Sequence, residues 1–390
     1  MREHKSRPLL LALAYLSFIS LGLPDGVLGV AWPAVRRFFN LPIDALGPLL
    51  VMATLGYLLA SFNCGRLLAR MNVGVLLALS CAVTAISFIG YALTSEWWLL
   101  ISLSALAGLG AGAIDTGLNT YAATHFSARA VNWLHASYGV GATLGPMIMT
   151  RALNAQQPWQ WGYTIIGSAQ LMLALCFGAT NKLWTGDKSA NTQTQHDDAR
   201  SVSTPSTRSV FRLPAMWLGV AAFFFYAAIE SVAGAWAFSL FTQSRGVSVL
   251  VAGTWTSVYW GTLTAGRLLS GFVVNHVPLP RLLRGSIIGI ALGAVLMWLD
   301  LANAWSFLGL ALIGFCCAPI FPSFVSTTPQ RVGATHTAHA VGYQMTCAML
   351  GLSLWPSLVG VLAKGFSLEI MPPALLVAAM LLFVLHEFLV

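Results

Sequence analysis

Apolar residues along this 390-residue chain come in long runs, without the strict alternation of strands or the narrow stripes of soluble helices. Twelve runs stand out, at about 8–34, 45–65, 72–93, 97–121, 130–153, 160–182, 213–241, 248–273, 282–301, 304–327, 338–363 and 369–389, separated by short polar breaks. A helix needs about 20 apolar residues to cross a bilayer. Lipid satisfies no backbone hydrogen bonds, so only helices and closed barrels span it, and barrel strands alternate with far weaker hydropathy. The pattern therefore predicts an all-α integral membrane protein with twelve transmembrane helices. The single long polar stretch, 183–212, is rich in Ser, Thr, Gln and Asp. It reads as a flexible cytoplasmic linker between two six-helix bundles, 1–182 and 213–390. Gly65-Arg66-Leu67-Leu68 closes the second run and Gly266-Arg267-Leu268-Leu269 the eighth, 201 residues on. This repeat makes the bundles pseudo-symmetric, related by an axis along the membrane normal.

Composition sharpens the exclusion. Only 8% of residues are charged and 57% are hydrophobic, against about 25% charged in a soluble domain. No nucleophile elbow, P-loop or H-E-x-x-H is present, and the G-x-G at Gly108–Gly110 lies mid-run with no preceding strand. An enzyme is not expected, nor are catalytic residues or a cofactor. The net charge of +8 would suggest nucleic acid in a soluble protein. With the N-terminus in the cytoplasm, however, 15 Lys and Arg fall on the inner side and five on the outer. The positive-inside rule then places both termini inside, in a bacterial-type inner (plasma) membrane. The six cysteines form no CxxC and read as small buried hydrophobes. His336-x-x-His339 lacks a third ligand, so no metal site is expected. Arg2, Lys5 and Arg7 precede an apolar run without a small-residue cleavage site, which predicts an uncleaved first span. The expected partners are the lipid bilayer and a small-molecule substrate, not nucleic acid, with the protein as a monomer.

Three of the twelve acids fall inside runs: Asp25 in the first, Asp115 in the fourth and Glu230 in the seventh. Each costs about 2.5–3.5 kcal/mol at the bilayer centre on insertion scales, so a functional role is the default. A helix-to-helix salt bridge is the alternative, but it needs a mid-span cation, and the nearest candidate is His135. Burial disfavours a charged carboxylate, which suits these three acids to carrying a coupling proton. Asp25 lies in Leu23-Pro24-Asp25-Gly26, where Pro and Gly are expected to loosen the helix and free carbonyls. Those oxygens suit Na⁺ as well. Asp115 and Asn119 share a helical face, while Gly108 and Gly112 form a small-xxx-small pair for close packing. Asn132 and His135 form a stripe with Gly139 and offer donors and acceptors to hydroxyls; the plainer reading is a contact between helices. In the second half, Tyr226 and Glu230 share a face, Thr256, Trp260 and Thr264 repeat every four residues, and Tyr259 adjoins Trp260. Trp260 sits too deep in its run for an interfacial belt. Gln344 stands beside Tyr343 in the eleventh run. Amides and carboxylates can bind sugar hydroxyls while aromatics stack on the ring.

These residues resemble a known family. The layout resembles the major facilitator superfamily over nearly the whole chain, and Gly65-Arg66-Leu-Leu-Ala-Arg70 is similar to its loop motif between spans two and three, without the usual Asp. The first half resembles the fucose–galactose–glucose:proton symporters, including bacterial glucose/mannose symporters. The pieces that carry this are Gly22-Leu-Pro-Asp25-Gly26-Val-Leu-Gly29, Gly112-Ala-Ile-Asp115-Thr-Gly-Leu-Asn119 and Asn132-Trp-Leu-His135 with Gly139 and Gly141. The resemblance implies that Asp25 and Asp115 are the coupling and sugar-recognition carboxylates, and that transport is proton-coupled hexose symport by rocker-switch alternating access. The fourth-span acid is often Glu in that family, and the fifth-span motif often has Gln where this chain has His135. Sodium-dependent glucose carriers belong to the same broad group, so Na⁺ coupling stays open. So do proton-antiport efflux of drugs or metabolites and a non-transporting sugar sensor.

Overall fold

The computed structural model describes residues 2–184, 211, 213–274 and 276–389. Most of the expected linker, residues 185–210 and 212, lies outside the described residues. Thirteen α-helices are described: α1 (Arg2–Phe38), α2 (Leu46–Leu68), α3 (Val73–Leu93), α4 (Trp97–His125), α5 (Ala128–Asn154), α6 (Gln160–Thr180), α7 (Pro214–Ser239), α8 (Val249–Val273), α9 (Leu279–Leu299), α10 (Asn303–Cys317), α11 (Ile320–Val332), α12 (Thr337–Gly365) and α13 (Met371–Leu389). α10 and α11 together form the tenth span, so α12 and α13 are the eleventh and twelfth. Helix starts carry local signals. Asn72 accepts from the Val75 N–H at the head of α3, and Ser127 accepts from Ala130 at the head of α5, each satisfying an orphan donor. Asn40 (φ 53°) and Asp300 (φ 43°) end α1 and α9 in the left-handed region, which Asn and Asp tolerate.

The halves repeat one packing plan. In the first, α1 packs on α5 and α6, α4 on α2 and α3, and α3 on α6. In the second, α7 packs on α12 and α13, α10 on α8 and α9, and α9 on α13. Across the halves, α5 meets α8, α2 meets α12, and α1 meets α7. Ten spans among the described residues are long and apolar enough by composition to cross a bilayer. The two helices outside that group, α5 and α8, are the pair packed against each other between halves. Thr150 of α5 and Thr256, Ser257 and Tyr259 of α8 are buried against protein, which relaxes the demand for apolar surface. Exposed Trp98, Trp161, Trp298 and Trp305 ring the face opposite the chain ends, and Trp133 and Trp217 lie toward the other, as amphipathic rings do at a membrane interface.

Two sequence expectations need correction. Pro24 does not open α1, which runs unbroken through Pro8, Pro24 and Pro33. Pro24 removes the donor for the Ser20 carbonyl, and the Gln170 side chain of α6 donates to that oxygen at 3.4 Å. The freed carbonyl is thus taken one turn away from Asp25. The tenth span is instead two helices, interrupted at Ala318-Pro319.

The far face, opposite the chain ends, is closed. Lys364 pairs with Asp44 at 3.1 Å across the halves, and Arg36 donates to Gln243 at 3.4 Å. Below these, Trp32 and Trp236 are wholly buried, their indoles donating to the carbonyls of Ile43 and Pro356. α1 and α7 cross where Gly29 meets the Gly234 carbonyl.

Candidate functional site

One turn from that crossing, toward the chain-terminal face, the interior turns polar. Asp25 is exposed despite its mid-span position, as is His135. With the far side plugged, solvent reaches them from the chain-terminal face. The Tyr138 hydroxyl of α5 donates to Asp25 Oδ2. Asp115 of α4 accepts from the Tyr57 hydroxyl of α2 at Oδ2 and from Asn119 Nδ2 at Oδ1, the latter at 2.9 Å. Gly108 and Gly112 make this possible: the α2 backbone at Ala53 and Tyr57 lies where a side chain would be, so α4 approaches α2 closely. His135 lies edge-on to Phe18, with ring centroids 5.5 Å apart, within electrostatic reach of Asp115 and Arg267.

The second half contributes a charge pair. Glu230, 8% exposed, accepts from the Tyr226 hydroxyl and faces Arg267 of α8 at 3.4 Å. The mid-span cation expected to be missing is therefore present. Arg267 reads as the end of a span because it sits in the Gly-Arg-Leu-Leu repeat, but α8 continues six residues beyond it to Val273. Asp25 feels the charges of Glu230, Asp115 and Arg267, so the acids of both halves and this arginine form one electrostatic cluster. Trp260 packs between α1 and α7: a methyl on Gly26 would stand 2.9 Å from its indole nitrogen, and one on Gly234 2.7 Å from its ring. Its N–H is buried without a partner, against Gly26.

Three predicted residues do not join this cluster through their side chains. Tyr259 is fully buried, and its hydroxyl donates to the Glu230 carbonyl at 2.8 Å, so it braces α8 against α7 and lines no cavity. Gln344 of α12 accepts from Thr328 of α11 at 3.0 Å and abuts Gly219. Gly219 lies eleven residues from Glu230 on α7, roughly 16 Å along the helix, so Gln344 ties the chain-terminal ends of three helices. Asn132 is exposed near the start of α5, one turn further out than His135. Of the Thr stripe, Thr256 and Thr264 donate to Ala252 and Trp260 carbonyls of their own helix. Tyr57, Tyr138 and Arg267 are the cluster members that sequence reasoning missed. Tyr138 follows His135 by three residues on one helical face, which was a usable signal; Tyr57 had none.

Among the described residues the arrangement has no nucleophile–base pair and no ligand cage; it offers carboxyl oxygens, phenols and an imidazole to a polar solute, with the far side closed. Comparison with known proteins fits this geometry. The Major Facilitator Superfamily model matches residues 14–356. The chain is 23% identical to human sodium-dependent glucose transporter 1 over 89% of this chain and 72% of the relative. It is 21% identical to bypass of stop codon protein 6 of Saccharomyces cerevisiae, over 92% and 77%. A solved nucleoside transporter superposes with a TM-score of 0.76 at 14% identity, covering 97% of each chain. A D-xylose–proton symporter does so at 0.74 and 16%, covering 96% of each. With the family model spanning most of the chain, and with twelve spans packed as two like bundles around a polar interior, the protein belongs to the Major Facilitator Superfamily and is a multi-pass membrane transporter, not an enzyme.

Proposed function

We propose that this transporter carries a hexose-type sugar in symport with a proton. The observation that carries this reading is the difference in partners among the three acids. All three accept from a tyrosine hydroxyl, but of the three only Glu230 also faces a guanidinium. A phenol both donates and accepts, so it can stay bonded to a carboxylate or a carboxylic acid; an arginine holds its partner ionised. Proton exchange thus falls to Asp25 and Asp115, and Glu230, first grouped with them, serves as the anchor for Arg267. Asn119 and His135 stand beside the acids to meet sugar hydroxyls. The names of the relatives, sodium-dependent glucose transporters and a D-xylose–proton symporter, support a sugar.

In this reading the halves 1–182 and 213–390, joined by the 183–212 linker, rock about the α1–α7 crossing, with both termini cytoplasmic, in a plasma (inner) membrane, as a monomer. Na⁺ coupling is a second reading, favoured by the printed names of the sodium-dependent relatives at 23–25% identity. Uptake of labelled glucose, mannose, fucose and galactose into proteoliposomes under an inward proton gradient, an inward Na⁺ gradient or neither tests both. Proton-driven uptake lost in Asp25→Asn supports the proposal, and Na⁺-driven uptake replaces the ion. No uptake under any gradient by folded protein overturns the sugar reading in favour of efflux, and sugar binding without flux would make the protein a sensor.

A further inference from the structure

A second cavity lies on the closed far face, beyond the Trp32–Trp236 plug. It has a volume of about 780 Å³ and is lined from both halves, by Arg36 and Arg37 of α1, Gln156 and Trp159 of the α5–α6 connection, and Thr242 and Gln243 of the turn after α7. No Asp or Glu lines it. Its two arginines are poorly matched. Arg36 has one neutral contact, the Gln243 amide at 3.4 Å, and its Nε is buried with no partner. Arg37 donates only to the Pro33 carbonyl of its own helix. Trp159 is 3% exposed, and its indole N–H is likewise unmet.

The contrast on the same face is Arg245, which pairs with Glu369 and Asp300 and donates to Ser306 and the Met297 carbonyl. Asp44 meets Lys364 through Oδ2 and lies outside the chamber's lining. Unmet N–H groups on a half-buried guanidinium and a buried indole, in a chamber without acids, define a receptor for oxyanions. The amides of Gln156 and Gln243 and the Thr242 hydroxyl add contacts for hydroxyls, and the volume fits the range of small-molecule sites.

We infer that this far-face chamber binds a hydroxylated anion, a carboxylate or phosphate on a sugar-sized body. The ligand sits between Arg36 of the first half and Gln243 of the second. It holds the halves together there, so it stabilises the closed far side and slows transport without competing at Asp25. This site is separate from the proposed sugar site and stands or falls independently of it.

The test uses purified full-length protein in nanodiscs of neutral lipid at constant ionic strength. Thermal unfolding is followed with glucuronate, glucose 6-phosphate, inorganic phosphate and glucose. The expected result is a saturable rise in melting temperature with glucuronate and glucose 6-phosphate. Half-saturation shifts at least tenfold upward in Arg36→Gln and is unchanged in Asp25→Asn; glucose gives no Arg36-dependent rise. Arg36→Lys and Gln243→Leu supply second variants should Arg36→Gln fold poorly, with Lys keeping part of the effect. Equal saturation in Arg36→Gln/Arg37→Gln and wild type overturns the inference, as does the absence of any saturable effect in folded protein. A rise caused only by adding phosphatidylglycerol to the nanodisc, with no response to soluble anions, also overturns it and assigns the arginines to lipid.

Discussion

The acids of the central cluster each meet a tyrosine hydroxyl and differ in what joins it, the Asn119 amide at Asp115 and the Arg267 guanidinium at Glu230, so single-atom changes separate their roles. Asp25→Asn keeps the Tyr138 hydrogen bond but removes the exchangeable proton; gradient-driven accumulation is expected to vanish while sugar exchange between two sugar-loaded sides survives. Concentrative uptake by that variant would refute the role. Tyr138→Phe removes one donor to a charged acceptor, typically about 1.5–3 kcal/mol, and is expected to slow uptake without abolishing coupling. Glu230 and Arg267 call for a double-mutant cycle. Either neutral substitution alone strands a charge among apolar neighbours, which costs about 3–5 kcal/mol when fully buried and less here because the Arg267 side chain keeps 29% exposure. Glu230→Gln/Arg267→Gln should melt higher than the worse of the two singles; a double variant lower than both would sink the pairing. The acids were legible in the sequence because charge in a membrane run is conspicuous. Of the phenols, Tyr226 showed in its spacing from Glu230, whereas Tyr57 did not, since a tyrosine in an apolar run looks like any aromatic.

Helices of this molecule meet through missing side chains. On α5, Gly141 and Gly145 face the carbonyls of Ile19 and Leu23 on α1, and any Cβ there would collide with backbone. Gly178, on α6, has open space around the same position. Gly141→Val is therefore expected to destabilise the detergent-solubilised protein by about 1–3 kcal/mol or more, and Gly178→Ala to be neutral or mildly stabilising, by at most about 1 kcal/mol; size-exclusion profiles after heating distinguish them. Element boundaries followed closely from hydropathy, because the bilayer imposes length on every span. Proline effects did not. Pro24 leaves α1 intact because Gln170, 146 residues later in sequence, takes its orphaned carbonyl, whereas the Ala318-Pro319 step splits the tenth span. A proline's effect on its helix depends on what a neighbouring helix offers the freed oxygen.

At the scale of the whole molecule, the far side is held shut by contacts between residues remote in sequence. The Lys364–Asp44 pair is partly solvated, with the lysine side chain 54% exposed, so it contributes about 0.2–1 kcal/mol, enough to change the closed-to-open ratio by up to about fivefold. Lys364→Gln is expected to shift spin-label distances between the far ends of α2 and α12 toward the open state, and the charge swap Asp44→Lys/Lys364→Asp to restore them. An unchanged distance distribution in Lys364→Gln would show that packing alone closes the face.

Twelve membrane crossings in two like halves, and the acids that lie inside them, follow from the chain's local pattern, because bilayer thickness and the cost of buried charge act on each segment separately. Tertiary structure alone decided which charge is neutralised and which can exchange a proton, that Gln344 and Tyr259 brace helices, and which side of the cavity is closed. Those properties depend on distances between residues such as Glu230 and Arg267, or Asp44 and Lys364, which only the packing of one helix on another sets.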